Sequence, residues 1–329
     1  MKNSKLGGLS SYLGTLGALL ILCIVLTIAS PNFLTYSNIM SVLKQTSFTA
    51  LLSTGMLLCL ITAGIDLSVG ANATFCACIL GMLVKGGMTN PVILIIIALV
   101  AGTCIGLING TLLTRLHLPH PFVSTLGMKN FLWGAALLVT GSQMISGFPD
   151  GVMALGSATI AGFPVSFIVV IIIYAIMHVV LTRTALGRSI YCAGGNMEAT
   201  RLSGIDAANV LTFCYALSGF MAAIAGLVSV GRSGICNGAN AIQPYDTDAI
   251  ASCVIGGASF MGGKGTMFGT IIGALVIATL RNGFTLLSVD SAVQNMVLGL
   301  VIIGAVLLDV TRESMAAKAR RKEAAAKAA

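Results

Sequence analysis

The sequence predicts an all-α polytopic membrane protein with about ten transmembrane helices, and three observations lead there. Of 329 residues, 57% are hydrophobic and 9% charged, with a mean hydropathy of +0.99, which leaves too little polar surface for a globule in water. The apolar residues form solid runs, as at 92–100 and 167–174; an outer-membrane barrel would instead alternate polar and apolar through segments of ~10 residues. Ten helical crossings of ~20 residues each use roughly 200 residues and leave the rest for loops and ends.

Runs bounded by Gly, Pro, Asn and charge place spans near 12–29, 47–63, 71–84, 91–113, 121–140, 162–182, 208–230, 246–262, 266–286 and 291–309, inside one integral membrane domain over 1–315. The first follows Lys2 and Lys5 and resembles a secretory signal ending at Ala29, but nine further spans favour an uncleaved anchor. With the N-terminus in the cytoplasm, the polar loop 183–207 and the basic tail 316–329 fall inside, as the positive-inside rule asks. No Lys or Arg other than Arg183 lies between Asn130 and Ala185. Lys44, Lys85 and Arg232 fall outside, so the bias is statistical, and re-entrant forms of the shortest spans, around 64–70 and 256–265, would lower the count to nine or eight. The tail favours helix, its last residues read as a linker, and its charge suits anionic headgroups.

The formal charge of +8 is thus a matter of topology, and no aromatic-interleaved basic stretch points to nucleic acid. Nine cysteines sit mostly within apolar runs, where a thiol acts as a small hydrophobe, and they imply no disulfide framework. Neither Cys76 with Cys78 nor His117 with His120 has a second pair to complete a four-ligand site, so no metal is expected.

Shifting the chain by 192 residues lays G-I-D-L-S-V-G at 64–70 over G-G-A-S-F-M-G at 256–262 and G-M-L-V at 81–84 over G-A-L-V at 273–276. Such an internal repeat, with glycines joining two apolar segments, is the pattern of helices interrupted near a transport pathway. Inverted halves need an odd number of crossings between equivalent points, whereas these boundaries put six there, so the alignment and an inverted repeat disagree.

Asp66 is the most informative residue, because a carboxylate at bilayer depth costs on the order of 2.5–3.5 kcal/mol. It stands nearly alone within the expected spans. Either Gly64 and Gly70 permit a broken helix in which Asp66 and Ser68 face a polar pathway or tie the break to its neighbours, or one of the two caps the following helix. Asn109, Ser124, Thr125 and Asn282 are the other candidates for the substrate pathway. Their neutral hydrogen-bonding groups suit a polyhydroxylated solute, although packing is the commoner use.

The longest polar loop carries a second signal. Asn196 is placed to cap a short helix with Glu198 and Ala199 in its first turn, and Gly204 to end it, which gives a docking element over Gly195, Asn196, Glu198, Ala199, Arg201, Ser203 and Gly204. The run 258–265 has Ala where a phosphate-binding loop needs its first Gly, and Gly where Ser or Thr would hold magnesium. Energy, if used, comes from a partner, and no nucleophile with its base marks an enzyme.

Three separated motifs carry a resemblance: G-I-D-L-S-V-G at 64–70, A-G-G-N-M-E-A-T-R-L-S-G-I at 193–205 and Y-D-T-D-A-I-A-S-C-V-I-G-G at 245–257. Together with P-N-F-L-T at 31–35 and P-F-V-S-T-L-G at 121–127, the chain resembles the permease subunits of ribose-type, type II-like ABC importers from about residue 30 to 310. Asp246, where that family usually has Glu, and Ser124 are mild departures. The resemblance implies a multi-pass inner-membrane permease that pairs with a second permease copy, identical or paralogous, and imports a monosaccharide such as a pentose or hexose. It further implies cytoplasmic ATP-binding subunits, which hold ATP and magnesium while this chain binds no cofactor, and a periplasmic sugar-binding protein. The 183–207 loop would hold the helix that couples to the ATPase. A stand-alone secondary transporter or channel remains as an alternative, as does a related branched-chain amino acid permease. The former has no use for a docking helix, and the latter would be expected to carry more pathway charge.

Overall fold

The computed structural model describes residues 4–328, with side chains at 13–307, 309–311 and 314–315; the side chains of the basic tail at 316–329 lie outside the described residues. Five helices open the chain: α1 (Ser4–Ala29), α2 (Tyr36–Ile61), α3 (Val69–Lys85), α4 (Pro91–Thr114) and α5 (Pro121–Thr140). A short β1 (Ile145–Ser146), α6 (Asp150–Ser157), and a hairpin of β2 (Thr159–Ile160) with β3 (Phe163–Pro164) then lead into α7 (Val165–Arg183). Two short helices, α8 (Ala185–Gly195) and α9 (Met197–Leu202), precede α10 (Ala207–Ser233). After β4 (Ile235–Cys236), antiparallel to β1, come α11 (Tyr245–Ile255), α12 (Met267–Leu286) and α13 (Ser291–Ala328).

The helix starts follow from their first residues. Asn90 Oδ1 accepts the N–H groups of Val92 and Ile93 ahead of Pro91, while His120 Nδ1 accepts that of Phe122 ahead of Pro121. Each side chain satisfies a donor the first turn leaves free, and proline needs none there.

Among the described residues, six helices are long and apolar enough to cross a bilayer: α4, α5, α7, α10, α12 and the Ser291–Thr311 part of α13. The other four expected spans depart from that standard for different reasons. α3 is an apolar helix of 17 residues, while α1 runs over 26, of which the described side chains form an apolar stretch over Leu13–Ala29. The span expected over 246–262 is corrected to α11, whose 11 residues fall well below the ~20 a crossing needs. It stops at Ile255 because Gly257, Gly262 and Gly263 turn the chain through φ of +91°, +80° and +69°, a region that side chains rarely occupy.

α2 is long but polar, and its position explains why. From Thr46 to its end it is almost wholly buried, including Thr46, Ser47, Ser53 and Thr54. Each of these hydroxyls donates to the carbonyl four residues earlier, so none needs water. Large apolar side chains meanwhile lie outward, among them Ile28, Val92, Val100, Leu138 and Ile176. A polar axis inside an apolar exterior is the arrangement a bilayer requires, since polar groups there must be satisfied within the protein.

The most extensive helix packing joins α4 to α10. Gly102, Gly106 and Gly110 fall on one face of α4 at four-residue spacing, and a Cβ at each would overlap the backbone of Gly219, Tyr215 or Thr212 on α10. Small residues at this spacing let two helices approach where no hydrophobic effect drives them together.

Candidate functional site

Two helix joints meet on the face of the protein that carries α8. The first is residues 62–68 between α2 and α3, and the second is residues 256–266 between α11 and α12. The N–H of Gly263 donates to the Ile61 carbonyl at 2.7 Å, and a Cβ on Gly262 would overlap Ala63. The two segments aligned by the 192-residue shift are therefore both irregular joints, and they touch.

Asp66 organises the first joint. It is 1% exposed; its Oδ1 accepts the Ser68 N–H at 3.0 Å and the Ser68 hydroxyl at 2.6 Å, while Oδ2 accepts the Ser218 hydroxyl of α10 at 2.7 Å. Asn109 of α4 donates through Nδ2 to Ser68 Oγ at 2.8 Å. Thr125 of α5 donates at 3.2 Å, and Tyr215 of α10 at 3.4 Å, to the Ile65 carbonyl. One carboxylate thus closes the turn before α3 and ties it to α10, while α3 itself starts at Ser68 without a side-chain cap. Three protein donors occupy its oxygens.

The structure therefore gathers Gly64, Asp66, Ser68, Asn109 and Thr125 around one joint. Gly70 lies one turn further on, against Tyr245 of α11. Ser124 is buried and donates locally to the Pro121 carbonyl. Asn282 is elsewhere: its amide exchanges two hydrogen bonds, of 3.0 and 2.8 Å, with Asn38 and so joins α12 to α2. Ser218 and Tyr215 were missed, because a serine and a tyrosine in an apolar span carry no signal until the partner 150 residues away is known.

Asp66 does not stand nearly alone among buried charges, and that expectation is corrected. Lys129 of α5 pairs with Asp246 at 2.9 Å, and Arg281 of α12 pairs with Asp248 at 2.7 Å. Both carboxylates are buried in the first turn of α11, at 3% and 5% exposure. Their signal was present in the sequence, as opposite charges within three separate apolar runs.

The loop at 183–207 forms two helices. Asn196 Oδ1 accepts the Ala199 N–H at 2.9 Å to start α9, and Gly204 turns at φ +81° just beyond its end. Glu198 and Arg201 form an exposed pair at 3.2 Å, and Leu202 beside them is 80% exposed. α8 has the opposite character. Ile190 is buried, the Tyr191 hydroxyl donates to the Gly265 carbonyl at 2.7 Å, and a Cβ on Gly194 would overlap the Ile61 carbonyl. The end of α8 thus touches both joints while α9 projects away from them.

Residues 38–306 match the family described as "Branched-chain amino acid transport system / permease component". The ribose import permease protein of Haemophilus influenzae is 37% identical over 297 residues, covering 89% of this chain and 91% of that one. Its counterpart in Bacillus subtilis is 38% identical over 311 residues, covering 94% and 95%. The D-allose transport system permease protein of Escherichia coli is 37% identical over 297 residues, covering 89% and 90%. No solved structure gives a significant match.

Proposed function

This chain belongs to the family of transport-system permease components, and from that premise we propose that it is the membrane-spanning subunit of an ABC importer that carries a monosaccharide. The family's description speaks of branched-chain amino acids, but the sugar permeases that align at 37–38% identity run almost end to end with this chain. Sugar is accordingly the substrate class we favour. In this reading the chain sits in the inner membrane with the α8 and α9 face in the cytoplasm, pairs with a second permease, and receives sugar from a periplasmic binding protein. ATP and magnesium belong to partner subunits, and this chain binds no cofactor of its own.

The observation that supports the reading best is the contact of α8 with both helix joints. α9 offers a partner an exposed charged pair and the apolar side chain of Leu202, flanked by a groove of about 690 Å³ between Leu113, Met197 and Leu211. α8, continuous with α9 through Asn196, would carry a push on that surface to Ile61 and Gly263. Those joints end α2 and begin α12, and both helices belong to the buried polar axis. The 183–207 loop is then a coupling loop, with Gly195, Asn196, Glu198, Ala199, Arg201, Ser203 and Gly204 forming its docking turn. The candidate pathway set of Gly64, Asp66, Ser68, Gly70, Asn109, Ser124 and Thr125 would hold the joint that moves, with Asn282 at the far end of the same helix system. A self-sufficient carrier is not favoured, because the relatives are permease components of import or transport systems by name.

The test is reconstitution in liposomes with the ATP-binding subunits and the periplasmic sugar-binding protein. Uptake of labelled ribose, allose or galactose should require ATP and both partners. Accumulation of sugar against a gradient by this chain alone would overturn the proposal.

A further inference from the structure

On the face opposite α8, three cavities converge on one side chain. A wide cavity of about 620 Å³ is lined by Tyr36, Lys44, Gln45 and Arg232; two smaller ones of about 140 Å³ share Arg232 with Tyr245, and one of these adds Asn237 and Asn240. Arg232 is thus common to all three. It sits in the last turn of α10, and among the described residues its guanidinium makes no hydrogen bond or ion pair. The nearby carboxylates are already engaged, Asp246 by Lys129 and Asp248 by Arg281.

The groups around Arg232 are similarly unspent. Asn237 uses its Oδ1 to accept the Ala239 N–H and leaves its Nδ2 unused, while the Asn240 side chain and the Tyr245 hydroxyl make no hydrogen bond among the described residues. The Tyr245 ring is held edge-on against Phe48, with centroids 4.9 Å apart, which fixes its hydroxyl and presents an apolar ring edge. Gly70 packs against the Tyr245 Cβ, so the start of α3, just past the Asp66 joint, touches the same tyrosine.

We propose that Arg232, Asn237, Asn240 and Tyr245 form a sugar-binding subsite within the permease itself, on the side from which the solute arrives. A guanidinium has five donors and no acceptor, amides offer both, and a tyrosine hydroxyl offers both. This set matches adjacent sugar hydroxyls, each able to donate and accept, with ring edges for the apolar face of the sugar. Buried carboxylates that already have their own cations leave no local negative charge to compete for Arg232. A few convergent polar groups in a concave site are what small-molecule recognition requires. Because Tyr245 begins α11 and touches Gly70, an occupied subsite would bear on both broken helices.

The subsite rests on the sugar-import reading, and the test separates the two. Binding of ribose, allose and galactose to the detergent-solubilised permease alone is followed by saturation-transfer NMR, and ATP-driven uptake is measured in the reconstituted complex. Arg232→Met should weaken sugar binding to the permease and lower uptake by roughly tenfold or more, the loss expected for a charge-assisted hydrogen bond, and Asn240→Ala by roughly threefold to tenfold, the loss expected for a neutral one. Both variants should melt within a few degrees of the parent, since neither side chain has a hydrogen bond or ion pair to lose among the described residues. Affinity for the binding protein should not change. If the parent complex imports sugar while the permease alone binds none, the subsite is wrong and the function stands. If Arg232→Met instead loses affinity for the binding protein at unchanged sugar binding, Arg232 is a docking residue and the subsite is again wrong. No sugar uptake by the parent complex would remove the underlying function.

Discussion

Gly194, the penultimate residue of α8, lies so close to Ile61, the last residue of α2, that a single added methyl group would overlap the Ile61 carbonyl oxygen. That carbonyl already accepts the N–H of Gly263, so three segments distant in sequence share one atom. α8 is therefore in direct contact with both helix joints.

Gly194→Ala should block transport, because the neighbours it meets are backbone and have nowhere to rotate. Gly134→Ala on α5 is the control: a Cβ there meets nothing within 4 Å. Sugar uptake and thermal unfolding measured on both variants should show loss of uptake or of folding in the first and near-parent behaviour in the second. Equal behaviour of the two would mean that the α8 contact is not part of the working mechanism.

Asp66→Ala should lower the unfolding midpoint markedly. It strands the Ser68 N–H and the hydroxyls of Ser68 and Ser218 in a buried site, at about 1–3 kcal/mol for each unsatisfied group. Asp66→Asn retains an acceptor for Ser68 and a polar partner for Ser218, and should cost roughly 1 kcal/mol or less on the same scale. Thermal unfolding in detergent compares the two. An alanine variant as stable as the parent would show that the carboxylate does not hold the joint.

Much of this site was legible in the sequence, and the limits have physical causes. Asp66 between two glycines stood out because a charge at bilayer depth demands compensation, and Asn196 and Gly204 because helix ends have few chemical solutions. The charges at Lys129, Asp246, Asp248 and Arg281 were equally visible, yet pairing is a property of packing and left no trace in local pattern. The α4 glycines at 102, 106 and 110 show a similar limit: in a chain with 39 glycines, only the facing backbone of α10 distinguishes a contact surface from composition. α11 was read too long because the glycines after Ile255 interrupt a run that stays apolar, and hydropathy does not register a turn.

The paired amides of Asn38 and Asn282 make a separable prediction. Each single alanine substitution leaves the other amide without its partner, so the double variant should cost less than the sum of the singles. Coupling energies between polar side chains on membrane helices average about 0.6 kcal/mol and reach about 1.7; two bonds between the same pair place this one in the upper half of that range. A double-mutant cycle on unfolding free energy measures it, and strict additivity would mean that the pair does not tie α2 to α12.

Arg281→Met should destabilise the protein by about 3–5 kcal/mol, since it leaves Asp248 charged, buried and unpaired. Arg281→Met combined with Asp248→Leu should recover most of that loss, because replacing both members of a buried pair with apolar groups is often neutral. Arg281 also lines one of the outer cavities, so recovery of stability need not restore uptake. A double variant as unstable as the single would show that Asp248 was not the source of the cost.

Glu198 and Arg201 offer the opposite energetic case. Both are well exposed, at 65% and 73% of their side chains, and separated by one helical turn, so their ion pair contributes only a few tenths of a kcal/mol. Replacing either with alanine should leave insertion and unfolding unchanged. If α9 is the surface on which the ATP-binding subunits act, the same substitutions should lower sugar uptake while ATP hydrolysis by the assembled complex continues. Leu202→Ser, which removes an exposed apolar group beside the pair, should weaken the complex itself, as read by co-purification of the ATP-binding subunit. Full uptake with normal complex formation in all three variants would assign α9 no part in coupling and would leave the α8 contact to be driven from elsewhere on that face.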